Sequence, residues 1–324
     1  RRLISSFFFF RLIFVLTSYS MPTFDCDLET YYDGIDATST PIEAFKELIS
    51  DHYVIWYSNT WDALKSIDED DDDSNNVKLI YSRRSESKSS SSWNREHVWP
   101  RSYGVGNTGP DYSDLHHLFP SNQDVNSARS SKIFAECRTE DNCESPAHPE
   151  ASPDTATNSY IFTPPSVVKG DIARALMYVA LRYNGPAQEA DTENLTMSEC
   201  PCVYTFTSPG ELSTLLEWHK QDPVDDTERT RNDRVCSYQG NRNPFVDMPS
   251  LVDRFYGGVC TPTSCPYCQS SATFIDTFNC TDVTNTDNID DLIEKYGIIA
   301  GGGVLVLVLL VLAILCCICC RTKK

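Results

Sequence analysis

The stretch best equipped for chemistry runs from Trp93 to Phe134. It opens with Asn94-Arg95-Glu96-His97-Val98-Trp99-Pro100 and continues with Asp114-Leu115-His116-His117-Leu118-Phe119-Pro120. It then passes through Asp124-Val125-Asn126-Ser127-Ala128-Arg129-Ser130. Three of the chain's 6 His fall inside it. Adjacent Glu and His, followed some 30 residues later by an Asn, suit phosphodiester hydrolysis. A near-neutral imidazole takes a proton from water. A hard divalent cation neutralises the charge that builds on phosphorus, and carboxylate and amide oxygens suit Mg2+ or Ca2+. By residue type alone, plainer uses stay open. A Glu-His pair is often just surface, a loop Asn is commonly a turn former, and His116 and His117 serve equally as packing groups.

Three longer blocks lie downstream. They are Pro164-Pro165 through Gly170-Asp171-Ile172-Ala173-Arg174-Ala175, then Leu215-Leu216-Glu217-Trp218-His219-Lys220-Gln221-Asp222-Pro223-Val224-Asp225, then Gln239-Gly240-Asn241-Arg242-Asn243-Pro244-Phe245-Val246-Asp247. With the Glu96, Asp114 and Asn126 segments they form a collinear set over roughly Phe45 to Tyr256. That set resembles the endonuclease I family, periplasmic and secreted bacterial nucleases built on a ββα-metal (His-Me) finger. The resemblance implies an α+β, helix-rich domain containing that finger. It implies a sequence-nonspecific endonuclease whose substrate is DNA, and in some members RNA, with 5′-phosphate and 3′-hydroxyl products. Residue by residue, it makes His97 the general base and Glu96 and Asn126 the protein ligands of one Mg2+, with Ca2+ or Mn2+ as other candidates. Arg129, after the ligand Asn, becomes a phosphate contact, and His116 and His117 stand behind the site as supporting groups.

Charge constrains how such a chain meets nucleic acid. With 27 basic and 46 acidic residues the formal net charge is -19, which excludes binding through a global basic field. A local basic surface or a bound metal must do it instead. Arg229, Arg231, Arg234 and Arg242, with Lys169, Arg174 and Lys220, are candidates for a groove lining. They are equally candidates for pairing with Asp225, Asp226, Glu228 and Asp233. The Gln239 to Asp247 loop, with Arg242, is the better candidate for nucleic-acid contact, because loops on rigid scaffolds carry sites. The acidic run Asp68-Glu69-Asp70-Asp71-Asp72-Asp73 reads as a solvated insert.

The two ends carry targeting patterns. Residues 1–20, basic and then apolar, read as a signal peptide. Residues 22–257 form the working domain and 258–297 a Cys-rich stalk. Residues 298–320 carry no charge, long enough to span a bilayer, and the basic tail 321–324 reads as cytoplasmic. This gives a single-pass type I membrane protein with its nuclease domain extracellular or lumenal. The 14 Cys and the sequons at Asn194 and Asn279 fit an oxidising, glycosylating compartment. Nothing marks an obligate protein partner. Two rival readings exist: a thiol-redox ectodomain using Cys265 and Cys268, and an inactive membrane-anchored adhesion domain that keeps the nuclease fold.

The elements that must position these groups are partly legible. Apolar spacing predicts helices over Pro41 to Tyr53 and Ser166 to Tyr183. Ser208-Pro209-Gly210-Glu211 has the order of a capping box and predicts a helix from there through His219. Asp222-Pro223 predicts another through Arg234. Val77-Lys78-Leu79-Ile80-Tyr81 predicts a strand.

Overall fold

A computed structural model describes residues 24–138, 141–185, 194–197 and 208–257. The segments read as signal peptide, stalk, membrane span and tail lie outside the described residues, as do Cys265, Cys268 and Asn279.

In chain order, α1 (Leu28–Tyr31), α2 (Ile42–Ser50) and α3 (Thr60–Ile67) lead into a small antiparallel sheet. That sheet is β1 (Glu69–Asp70), β2 (Asp73–Lys78) and β3 (Ser85–Ser87), in the order β1-β2-β3. The strand β4 (Trp93–His97) comes next, then α4 (Pro110–Ser113), β5 (Leu118–Asn122) and α5 (Gln123–Arg129). β4 and β5 pair as a two-stranded sheet, and a third sheet contains β6 (Ile133–Phe134), β7 (Ala156–Thr157) and β8 (Ile161–Thr163), with β8 in the middle. Five helices complete the described domain: α6 (Lys169–Tyr183), α7 (Leu212–Gln221), α8 (Asp226–Gln239), α9 (Pro244–Asp247) and α10 (Ser250–Tyr256). The fold is α+β and helix-rich.

The core is built around α6, whose residues from Ile172 to Tyr183 are all buried. A helix buried all round must be central, and α6 packs against α7, α9 and α2. Its two arginines need partners at that depth. Arg174 donates to Glu228 Oε1 at 2.7 Å and Oε2 at 2.6 Å, which ties α6 to α8. Gly170 lets the two segments meet: a Cβ there would fall 1.9 Å from the Asp222 carbonyl oxygen. At the far end of α8, Gly240 takes φ 84° and closes the helix in the left-handed conformation. The Cys26–Cys236 disulfide ties the N-terminal segment to α8, and Cys137–Cys143 closes a short loop.

The predicted helices over 41–53 and 166–183 are present as α2 and α6. Three local readings change. The capping-box order at Ser208 is not used as a cap. Ser208 donates to the Gly210 carbonyl at 2.7 Å, and Gly210 pairs in parallel with Phe134, so the helix starts only at Leu212. Likewise α8 starts at Asp226, where the Asp225 carboxylate accepts the Glu228 amide at 2.8 Å. The apolar run Val77 to Tyr81 leaves the strand at Lys78 and enters a turn, in which the Arg83 amide donates to the Leu79 carbonyl. The run is buried in the turn, and periodicity cannot separate a buried turn from a strand.

The acidic run is also more than a solvated insert. Residues 69–70 form β1, Asp70 is buried, and Asp68 is largely enclosed, its side chain 9% exposed. Asp68 holds Arg231 at 2.7 Å, and Arg231 also donates to the Leu118 carbonyl at 2.6 Å and the Leu115 carbonyl at 3.2 Å. One largely enclosed acid of the run therefore supports the segment that leads into β5.

Candidate active site

The strands β4 and β5 pair antiparallel, with His97 opposite Leu118 and Glu96 opposite Phe119. The helix α5 follows β5 without a gap. Asn122 makes the junction, its side-chain oxygen accepting the amides of Asp124 at 2.9 Å and Val125 at 3.1 Å. This N-cap folds the helix back over the hairpin, and the Asn126 side-chain amide donates to Asn94 Oδ1 at 2.7 Å. Side chains alternate along a strand. Asn94 and Glu96 therefore share the face that α5 covers, and Arg95 and His97 share the other.

His97 ends β4. Its Nε2 lies 2.9 Å from the Tyr112 carbonyl oxygen. A carbonyl only accepts, so Nε2 carries the proton and Nδ1 keeps its lone pair. The ring is buried, stacked with Tyr57 and Tyr112 and edge-on to His117 at 5.4 Å. Burial, aided by the His117 ring, holds its pKa well below the ordinary histidine value. His97 is thus neutral at pH 7, as a proton acceptor must be.

Glu96 is buried on the opposite face. Tyr81 donates its hydroxyl to Oε1 at 2.7 Å, and Arg129 Nε lies 3.4 Å from the same oxygen. Burial raises its pKa, and Arg129 and Tyr81 oppose that rise. The 3.4 Å approach is an ion-pair contact without hydrogen-bond geometry, which leaves the buried Arg129 Nε without a hydrogen-bond acceptor.

The donor set fits a hard cation. Glu96 offers a buried carboxylate, and Asn126, donating through its nitrogen to Asn94, keeps its amide oxygen available as a ligand. Mg2+ is typically held by one or two protein oxygens and several waters. The site needs no cluster of acids, and among the described residues no group of three His, Cys, Asp or Glu is placed to hold an ion.

The two arginines expected at phosphate are placed elsewhere. Arg129 is buried, donating to the Val98 carbonyl at 2.7 Å and the His97 carbonyl at 3.4 Å, with its guanidinium over the Phe134 ring. Arg242 is buried against Asp247, Asp233 and the Cys26 carbonyl. Both lock backbone and acids together rather than face solvent. The Gln239 to Asp247 loop is likewise internal. Gln239 donates to Asp114 and accepts the Leu115 amide, and Asn241 donates to the Tyr178 hydroxyl and the Ile49 carbonyl. The other cations of this region pair with acids: Arg229 with Asp226, Arg174 with Glu228, and Lys220 with Asp253.

His116 and His117 are both buried. His117 Nε2 sits 2.6 Å from the Asp111 carbonyl, and the His117 carbonyl accepts the Val98 amide, so this residue braces the end of β4. His116 packs at a tilt against the Tyr178 ring and reaches the Asn241 carbonyl at 3.2 Å. Asp114 is the hub beneath them, accepting hydrogen bonds from Tyr178, Tyr183, Gln239 and the His116 amide. Nothing in the sequence assigns Tyr57, Tyr81 or Tyr112 to the site. No local pattern marks them, since each acts through a contact made only by folding. A small cavity with a mixed lining, polar at His116, Asp171, Glu228 and Arg231 and apolar at Phe119 and Val246, excludes Glu96, His97 and Asn126. It has room for about one water.

A hairpin covered by a short helix, with His closing the first strand and an acid beside it, defines the ββα-metal class of nucleases. A family model described as Endonuclease I matches residues 41–250. The chain is 40% identical over 254 residues to an extracellular ribonuclease of Bacillus amyloliquefaciens, covering 75% of this chain and 84% of that one. It is 40% identical over 240 residues to an extracellular ribonuclease of Bacillus subtilis, covering 71% and 79%. An extracellular deoxyribonuclease of Aeromonas hydrophila is 27% identical over 137 residues, covering 41% and 49%. The chain belongs to the endonuclease I family and is a nuclease.

These findings correct one expectation. A type I membrane protein is not what the relatives point to, because they are named as extracellular enzymes. Among the described residues no helix is long and apolar enough to cross a membrane. The apolar stretch 298–320 lies outside the described residues.

Proposed function

We propose that this chain is a secreted, metal-dependent, sequence-nonspecific endonuclease that hydrolyses RNA and DNA to 5′-phosphate and 3′-hydroxyl ends. The observation that carries the reading is the His97 Nε2 to Tyr112 carbonyl bond at the end of β4. It fixes the tautomer, with the proton on Nε2 and the lone pair on Nδ1, while burial keeps the ring neutral at pH 7. His97 Nδ1 takes the proton from the attacking water. Glu96 and Asn126 would hold Mg2+. When bound, that ion supplies charge to balance the phosphorane and the leaving 3′ oxygen. Tyr81 and Arg129 orient the Glu96 carboxylate, and Arg129 also fixes the carbonyls of His97 and Val98, so acid and base keep their relative positions. The matching relatives support both substrates, since two are named ribonucleases and three deoxyribonucleases.

A plasmid-relaxation assay, run beside an RNA-degradation assay, tests the reading. Supercoiled plasmid and RNA should both be cut with Mg2+ present and spared when a chelator removes it. Unabated cutting in chelator would refute the metal dependence, and no cutting under any condition would refute the activity.

A further inference from the structure

Of the 5 Trp, four are buried or half-buried, and Trp56 alone is exposed, at 77%. Its neighbours Tyr53 and Val54 are also exposed, at 40% and 45%. A cluster of large apolar side chains left in water marks a contact surface. Trp56 directly precedes Tyr57, whose ring stacks on Tyr112 at 4.0 Å and on His97 at 5.7 Å. Consecutive Cα atoms are 3.8 Å apart, so the exposed indole springs from the edge of the base's own aromatic stack.

Two arginines lie on the same aromatic stack. Arg95 lies 3.6 Å over the Tyr57 ring and 4.7 Å over the Trp61 ring, and among the described residues it hydrogen-bonds only to the Tyr57 carbonyl and the Thr60 hydroxyl. Arg101 lies 5.1 Å from the Tyr112 ring and donates to the Gly106 carbonyl. Among the described residues neither forms an ion pair, whereas Arg129, Arg174, Arg231 and Arg242 all do. In a chain of net charge -19, two arginines without a carboxylate partner, flanking an aromatic stack, match a polyanion. A free indole face beside them matches a base with its own face uncovered, as in a single strand and not within a duplex.

We propose that Trp56 is a stacking platform for an unpaired nucleobase next to the scissile phosphate, with Arg95 and Arg101 taking the neighbouring phosphates, so that the enzyme prefers single-stranded substrate. The proposal rests on the nuclease reading above. The test uses the full chain carrying His97→Ala, in chelator, so that nothing is cut. The probe is an oligothymidylate of about eight nucleotides, within the usual range of single-strand sites. The oligonucleotide should quench tryptophan fluorescence. Trp56→Leu should abolish the quenching and raise the single-strand Kd roughly tenfold, in line with the worth of one stacked base. Trp56→Phe should recover most of the affinity, because it keeps a π face. A duplex of equal length should lose less affinity than the single strand. Single-strand binding unchanged in Trp56→Leu would overturn the proposal. So would equal loss for duplex and single strand, and so would Trp56 quenching by anionic phospholipid vesicles with none by oligonucleotide. Quenching by oligonucleotide in a chain that, with His97 intact, cuts nothing would keep the platform and reject the nuclease reading.

Discussion

At the scale of single residues, the site separates a base from a metal-holding pair by the alternation of one strand. Glu96 and His97 are adjacent, yet their side chains leave β4 on opposite faces and meet different surroundings. The mutational consequences differ accordingly. Glu96→Ala and Asn126→Ala should weaken Mg2+ binding, and part of their lost activity should return at higher Mg2+, because mass action refills a weakened site. The carboxylate should matter more than the amide. Activity measured across a Mg2+ series checks this, and a defect unmoved by Mg2+ in both variants would contradict it. Arg129 belongs to the same scale. Buried, it compensates Glu96 and holds the His97 and Val98 carbonyls. Arg129→Met should destabilise the fold by about 3–5 kcal/mol, the usual cost of leaving a buried charge without its partner. Denaturant unfolding would show it, and a loss under about 1 kcal/mol would mean that Glu96 is not relying on Arg129.

At the scale of elements, the ββα unit depends on a junction of one residue. Asn122 ends β5 and caps α5, which places Asn126 over Asn94. Asn122→Ala should lower stability by about 1 kcal/mol and, by loosening the start of α5, reduce activity by more than that loss of folded protein explains. Thermal melts paired with initial rates separate the two effects; rates that track folded fraction alone would reject the positioning role. Much of this level was legible in sequence. Amphipathic spacing marked α2 and α6, and the order Glu96-His97, Asp114 to His117, Asn126 marked the finger. What escaped was set by partners distant in sequence. Ser208 to Glu211 carries a helix-start signal, but pairing of Gly210 with Phe134 overrides it. Asp68 looks like one more solvated acid until Arg231, far along the chain, encloses it. Arg129 and Arg242 read as surface cations because residue type cannot say which arginines will be enclosed by acids. Tyr81 and Tyr112 gave no signal, since a hydroxyl on Glu96 and a carbonyl facing His97 exist only in the folded chain.

At the scale of the molecule, the Asp114 hub and the histidines above it set how the domain tolerates acid. Burial lowers the pKa of His116 to about 4, against the raising effect of Asp114. The unfolded value is about 6.5. Above pH 6.5 the ring is neutral in both states, so its contribution to stability is fully present. As pH falls from 6.5 toward 4, the unfolded chain takes a proton that the folded chain refuses, and stability drops by up to about 3 kcal/mol from this residue. Carboxyls with raised pKa values, such as the half-buried Asp171 and the buried Glu228, act in the opposite sense, so the comparison must be made against a variant. The fall in Tm from pH 7 to pH 5 should be smaller in His116→Gln than in the unsubstituted chain. Equal falls, or a His116 ring that titrates near 6.5 in NMR spectra of the folded protein, would contradict this assignment.

The central claim is that His97 is the base and not a ligand. Single-turnover cleavage by His97→Ala at saturating Mg2+, with metal binding followed by calorimetry on the same protein, tests it most directly. Cleavage should fall by about 10²–10⁴-fold, the usual worth of a positioned base, while the Mg2+ affinity stays close to that of the unsubstituted chain. A variant that loses Mg2+ binding, or one that cleaves at an undiminished rate, would show that His97 does not do this work.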